Sequence, residues 1–186
     1  MSFRRTSRNV VLGAAAWVVA GATVLAVAGQ TIQVTPLARE GRVMVSFHLS
    51  DGFPVDVTDA IHSGLTTTFA YDVEIKRSAA FWFDRTVAAA TVSASVKYDT
   101  LTRTFSVSRS YDGRMDRADS TENEDVVHDF LTKFDRLPLF SSAGLEPNVE
   151  YYLRVRAQTT PHTSWALWSL WDRHDVAGVA KFTYIP

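Results

Sequence analysis

Between Leu65 and Ser110 the chain alternates apolar and polar residues with a period of two, and few folds accommodate that. Phe69, Tyr71, Val73 and Ile75 fall on one side, and Asp72, Glu74 and Lys76 on the other. A helix would scatter these residues around its surface, whereas a strand buried on one face separates them cleanly. Thr91 to Tyr98 repeats the pattern with Val92, Ala94, Val96 and Tyr98 inward, and Arg103 to Ser110 follows. The break Asp99-Thr100-Leu101-Thr102 is of hairpin length, and Asp99 suits the start of a turn. Three consecutive strands paired as an antiparallel meander are therefore predicted.

Four further segments read as strands. Thr31 to Leu37 is short, and Pro36 suits a sheet edge. Arg42 to Ser50 places Val43, Val45, Phe47 and Leu49 on one face. Val149 to Ala157 points Tyr151, Leu153 and Val155 inward and Tyr152, Arg154 and Arg156 outward. Val179 to Ile185 closes the chain, with Phe182 and Tyr184 sharing a face. Two helices are predicted. A short one lies near Val57 to Ser63, with Asp56 or Thr58 as its cap and Gly64 as its stop. The clearer one runs from Thr121 to Arg136. Thr121 and Glu124 have capping-box spacing, Val126, Val127, Phe130, Leu131 and Phe134 form an apolar stripe, and Pro138 prevents continuation. Arg114 to Asn123 is polar and expected to be exposed.

About seven regularly spaced strands with one clear amphipathic helix and a short second one imply a mainly β protein. The expected fold is an antiparallel β-sandwich of immunoglobulin-like type. A single curved sheet packed on the Thr121–Arg136 helix is the alternative.

The N-terminus reads as a targeting segment. Arg4, Arg5 and Arg8 precede an uncharged, almost wholly apolar run from Val10 to Ala28. Ala26-Val27-Ala28 before Gly29 fits a small-x-small cleavage site, and the run also just reaches the length that spans a bilayer. Residues 1–28 are thus a cleaved signal peptide or a retained membrane anchor, and 29–186 a single domain. Either way the positive flank sends that domain out of the cytoplasm, to the periplasm or the outer face of the cytoplasmic membrane.

The run Phe81-Trp82-Phe83-Asp84-Arg85-Thr86-Val87, followed by Val96-Lys97-Tyr98-Asp99-Thr100-Leu101-Thr102-Arg103-Thr104-Phe105, resembles the bacterial family of unknown function DUF4390. The shared pattern is aromatic-aromatic-Asp, then Tyr-x-x-Leu-(Thr/Ser)-x-x-aromatic, and the resemblance extends from about Gln33 to the C-terminus. It implies an exported bacterial protein with no established activity, and no catalytic residues to carry over. Genes of that family often lie near a membrane sensor kinase, which implies a link to a membrane signalling protein.

Composition narrows the function classes. The chain has 19 basic and 20 acidic residues; removing Arg4, Arg5 and Arg8 leaves 16 basic against 20 acidic, so the mature part is acidic. That disfavours nucleic acid and polybasic lipid binding, both of which need a basic surplus. With no cysteine, thiolate catalysis, disulfides and cysteine metal sites are excluded. His48, His62, His128, His162 and His174 are scattered, and only His128-Asp129 and His174-Asp175 have an adjacent acid. No HExxH, Gly-rich phosphate loop or G-x-S-x-G occurs, and Ser141-Ser142-Ala143-Gly144 reads as a loop. The acids Asp116, Asp119, Glu122, Glu124, Asp125 and Asp129 lack calcium-loop spacing and read as a solvated helix start. No catalytic residue, metal or cofactor is expected.

Two features remain as candidate contact sites. Phe81, Trp82 and Phe83, together with Trp165, Trp168 and Trp171, are either core or an exposed aromatic surface for a partner. Arg154 and Arg156, with Lys97, are candidate anion contacts, although a solvated outer strand face explains them more simply. The expected function is that of a non-enzymatic module contacting an envelope or inner-membrane protein. The alternative is a carrier of an apolar ligand between the sheet and the Thr121–Arg136 helix, in a cavity lined by Phe130, Phe134 and Trp165.

Overall fold

The structure, a computed structural model, describes residues 31–50, 53, 55–77, 85–161 and 176–185. It is mainly β, with two antiparallel sheets and two helices. In chain order the elements are β1 (Thr31–Arg39), β2 (Arg42–Ser50), α1 (Val55–His62), β3 (Thr67–Arg77), β4 (Arg85–Asp99), β5 (Thr104–Tyr111) and β6 (Arg114–Thr121). They continue with α2 (Glu124–Thr132), β7 (Lys133–Ser141), a 3-10 turn (Ser142–Gly144), β8 (Glu150–Pro161) and β9 (Val176–Thr183). One sheet has the order β1-β2-β7 and the other β6-β5-β4-β3-β8-β9. The predicted meander is present as β3-β4-β5. Pro36 does lie on an edge strand, where its missing donor is harmless.

The alternating residues do what the pattern requires. Phe69, Tyr71, Val73 and Ile75 on β3, Val92, Ala94 and Val96 on β4, and Tyr151, Leu153 and Val155 on β8 are buried. They meet Val43, Val45, Phe47 and Leu49 of β2 in one core. Each large side chain so buried stabilises the fold by roughly 1.5–3 kcal/mol. Two tight turns set the register of the hairpins. Glu40-Gly41 joins β1 to β2 and Asp112-Gly113 joins β5 to β6, and all four residues have positive φ. Such two-residue turns twist in the same sense as the strands they connect.

The two sheets converge along one side, where β1 packs on β9. An added Cβ at Gly178 would lie 2.3 Å from the Ile32 carbonyl oxygen, so only glycine permits this approach. On the opposite side α2 is wedged between the sheets, touching β2, β4, β5, β6 and β7.

Two of the nine described strands, β6 and β7, were not expected. Arg114–Thr121 is exposed as predicted, yet it pairs with β5 as the sheet edge. A strand so polar buries nothing, so it has no alternation to read. The correction at α2 is larger. The helix stops at Thr132 instead of Arg136, and Lys133 is already extended. Phe134 leaves the helical stripe to pair with Phe47 of β2, and Leu137 pairs with Val45, completing the smaller sheet. The N-terminal cap is also shifted. Asn123, not Thr121, accepts from the backbone N–H groups of Asp125 and Val126.

Candidate functional site

The end of α2 is fixed by side chains from the larger sheet. Arg109 sits on β5 opposite Ala94, a small residue that leaves room for a long inward side chain. Its guanidinium donates to the Phe130 carbonyl through Nε (2.9 Å) and Nη2, and to the Lys133 carbonyl through Nη2 (2.8 Å). It lies 4.2 Å from the centre of the Phe130 ring and 4.3 Å from that of Phe134. Burial lowers its pKa, but an arginine stays charged. The buried Tyr71 hydroxyl donates to the Leu131 carbonyl at 2.7 Å, and burial pushes the phenol pKa up. Three carbonyls at the α2-to-β7 junction therefore have donors from the facing sheet. Phe47, Tyr71 and Phe134 also pack on one another, at ring separations of 4.5 to 5.1 Å. The Arg109 guanidinium thus occupies the space beside Phe130 and Phe134 that an apolar ligand would need.

The other half of α2 borders a groove. Phe53, Ile61, Phe105 and Val127 form an apolar floor, and Thr58, Glu124, Asp125 and His128 complete the lining, enclosing about 200 Å³. The groove separates α1 from the first turn of α2. The two helices are bridged by His62 at the end of α1, whose Nε2 is 3.2 Å from Glu124 Oε1. A histidine at a helix end and a glutamate at a helix start both suit the helix dipoles. The His62 ring stands edge-on to Tyr98 and Phe105, and His128 packs on Phe53 at 4.7 Å. Sequence reading missed this groove because its residues come from four separate segments.

As a reaction centre the arrangement is incomplete. Thr58 and His62 are one helical turn apart, but no hydrogen bond joins the Thr58 hydroxyl to the His62 ring that would activate it. His128 Nδ1 is 3.8 Å from Asp129, whose carboxylate is instead held by Lys133 at 2.6 Å. The hydrogen bond from Lys133 keeps the Asp129 carboxyl below its ordinary pKa. Among the described residues no group of three or more His, Asp or Glu side chains is placed to hold a metal. A second, shallow hollow of about 300 Å³ lies over the β2–β7 bulge, lined by polar residues such as Gln33, Ser46, His48 and Asp135.

The candidate anion contacts prove to be part of an ion-paired face. Arg154 is bound to Glu74 through Nε (3.0 Å) and Nη2 (2.5 Å), and Lys76 lies 3.5 Å from the same carboxylate. Burial raises the Glu74 pKa, but the Arg154 hydrogen bond and charge, with Lys76, outweigh it and hold the group below its ordinary value. Arg156 stands opposite Asp72 on β3. Lys97 lies farther along β4, beyond the row of Thr67 and Val96, so it does not join them.

Phe81, Trp82, Phe83, Trp165, Trp168 and Trp171 lie outside the described residues. The strand ends that flank them are described, and they are far apart. Residues 78–84 connect Arg77 to Arg85, which are paired at one end of the larger sheet. Residues 162–175 leave β8 at Pro161, opposite Thr67 at the other end of β3. An 11-residue strand separates the two anchor points, about 34 Å at the usual rise.

The described residues define a two-sheet antiparallel domain closed on one side by a helix. A family profile described as "Domain of unknown function (DUF4390)" matches residues 28–163, and the chain belongs to this family. Searches of curated proteins and of solved structures gave no match.

Proposed function

We propose that this chain is an exported envelope protein that acts by contact with another envelope protein and performs no reaction of its own. The observation that carries this reading is the size and chemistry of the α1–α2 groove. At about 200 Å³ it fits one or two side chains, below the roughly 300–1,000 Å³ of small-molecule sites. Its histidines contact carboxylates without an activated nucleophile, which favours contact over catalysis. The filled space around Arg109 favours it over carriage of an apolar ligand.

The N-terminal sequence supports export, through the basic flank and the apolar run from Val10 to Ala28. Among the described residues no helix is long and apolar enough to cross a membrane. A link to a membrane signalling protein fits the family membership and the expected location.

Export is tested by fusing alkaline phosphatase after Pro186 and measuring its activity in intact cells. High activity that falls when Arg4, Arg5 and Arg8 are replaced and the Val10–Ala28 run is interrupted by charge is the expected result. Contact is tested by formaldehyde crosslinking of living cells, followed by denaturing purification of the tagged full chain. A defined heteromeric adduct is expected. Activity confined to the cytoplasm, or a chain that never forms an adduct, contradicts the proposal.

A further inference from the structure

The two edges of the larger sheet differ. At one edge β9 is packed against β1. At the other, β6 pairs with β5, and among the described residues no strand pairs with its outer side. Arg114 to Ser120 are all exposed. The turn before β6 fixes which of its backbone groups point outward. The Asp112 N–H donates to the Thr91 carbonyl of β4. Backbone groups alternate sides along a strand, so those of Phe105, Val107 and Arg109 turn to β6. Their partners Thr121, Asp119 and Arg117 turn back to β5, which leaves Ala118 and Ser120 with outward N–H and carbonyl groups. The Arg117 and Asp119 side chains share the α2-facing side. The Arg117 guanidinium lies 5.8 Å from the centre of the Phe130 ring and 3.1 Å from the Asp119 carboxylate.

Charges and bulges keep an edge strand from pairing with strangers. β6 carries Arg114, Asp116, Arg117 and Asp119, and a bulge leaves Asp116 unpaired. Beyond the bulge it is regular from Arg117 to Thr121. When two identical strands pair antiparallel about a two-fold, one residue faces its own copy. Centring on Arg117 or on Asp119 sets like charges together. Within the regular part, only centring on Ala118 sets opposite charges together. A small residue then meets its copy, and Arg117 faces the Asp119 of the other copy on both sides of the two-fold. The sign pattern that repels other strands fits this one.

We propose that two copies of this chain join edge to edge through β6, antiparallel and centred on Ala118, so that their six-stranded sheets become one. The outward N–H and carbonyl of each Ala118 bond to those of its copy. Each Asp119 carboxylate lies between two guanidiniums, that of its own Arg117 and that of the other copy. The two-fold closes the assembly, since the opposite edge is packed against β1. This inference goes beyond the contact function proposed above and does not depend on it.

The chain has no cysteine, so a single introduced one reports its own contact. In the proposed register the two Cα atoms at position 118 are about 5.5 Å apart, a span that a disulfide bridges. The two at position 120 are about 13 Å apart along the strands, beyond its reach. The full chain with Ala118→Cys or Ser120→Cys is produced in its own host envelope, and dimer formation under mild oxidation is followed on non-reducing gels. Ala118→Cys is expected to crosslink roughly ten-fold faster than Ser120→Cys. Adding Arg117→Asp or Asp119→Arg to Ala118→Cys sets like charges across the two-fold and is expected to slow crosslinking about ten-fold. Producing the two reversed chains together restores the rate, because each supplies the charge that the other lacks. If either reversal lowers the thermal midpoint, Arg117→Gln and Asp119→Asn replace them, each with a slowing of about three-fold expected. Crosslinking at 120 as fast as at 118, a monomer at both positions, no recovery when the reversed chains are combined, or a rate indifferent to the charge variants overturns the inference.

Discussion

Replacing Arg109 by alanine removes every donor that the larger sheet supplies to the Phe130 and Lys133 carbonyls. The Phe130 bond is partly buried, and leaving that carbonyl without a partner costs about 2 kcal/mol. The Lys133 carbonyl is nearer solvent, so its loss costs about 1 kcal/mol. Contact of the guanidinium with the Phe130 and Phe134 rings adds about 1 kcal/mol. The mutant no longer desolvates a cation, which offsets part of this sum, and the expected net loss is about 3 kcal/mol. For a domain of this size that lowers the thermal midpoint by about 6–12 °C. Urea unfolding followed by far-ultraviolet circular dichroism measures the same loss at constant temperature. Arg109→Met separates the contributions, because it fills the space between the rings without donating. It is expected to lie between wild type and alanine, and Arg109→Lys closer to wild type. If Arg109→Met matches wild type within about 0.5 kcal/mol, the carbonyl bonds contribute nothing and the reasoning about the α2–β7 junction fails.

Tyr71→Phe leaves the buried Leu131 carbonyl without its donor and is expected to cost about 1–2 kcal/mol in the same urea assay, with no change in circular dichroism. Gly178→Ala forces β1 away from β9 and is expected to cost about 3 kcal/mol, whereas Gly144→Ala, where a Cβ meets nothing, is close to neutral. Asn123→Ala removes the α2 cap and is expected to lower stability by about 1 kcal/mol, and Thr121→Ala by less, which a thermal melt of each variant resolves. Glu74 has a folded pKa below its ordinary 4.5, so the stability it contributes is complete above that value and is lost as pH falls through the folded pKa. Glu74→Gln is therefore expected to be less stable than wild type at pH 7 and to converge with it in strong acid, as read from unfolding midpoints across the pH range.

The sequence pattern made the buried half of the fold legible. β2 was expected over Arg42 to Ser50 and is found there, because each inward residue is apolar and the outward ones, Met44 apart, are polar. β3, β5 and β8 follow the same logic within a few residues of their bounds. The elements that escaped are those whose partners decide them. β6 has no buried face, so nothing in Arg114–Thr121 alternates. β7 hid inside a helical stripe, because Phe130, Leu131 and Phe134 have helical spacing until pairing with β2 draws Phe134 into extended backbone. Arg109 was illegible for a related reason. Its place on an inward row looks like an error of alternation until the Phe130 and Lys133 carbonyls arrive opposite it. The α1–α2 groove could not be found from spacing, since Phe53, Ile61, Phe105 and Val127 meet only in the folded chain. Arg154 was read as pointing outward, but its partner Glu74 lies 80 residues away and is brought beside it only by the pairing of β3 with β8.

The most direct test of a partner-contact function is native mass spectrometry of the full chain, extracted under mild conditions from its host envelope at its natural abundance. A complex of the chain with a second protein in fixed ratio is the predicted result. A chain carrying only a small molecule that organic extraction removes, with no protein partner at any extraction strength, would contradict it and make the molecule a ligand carrier instead.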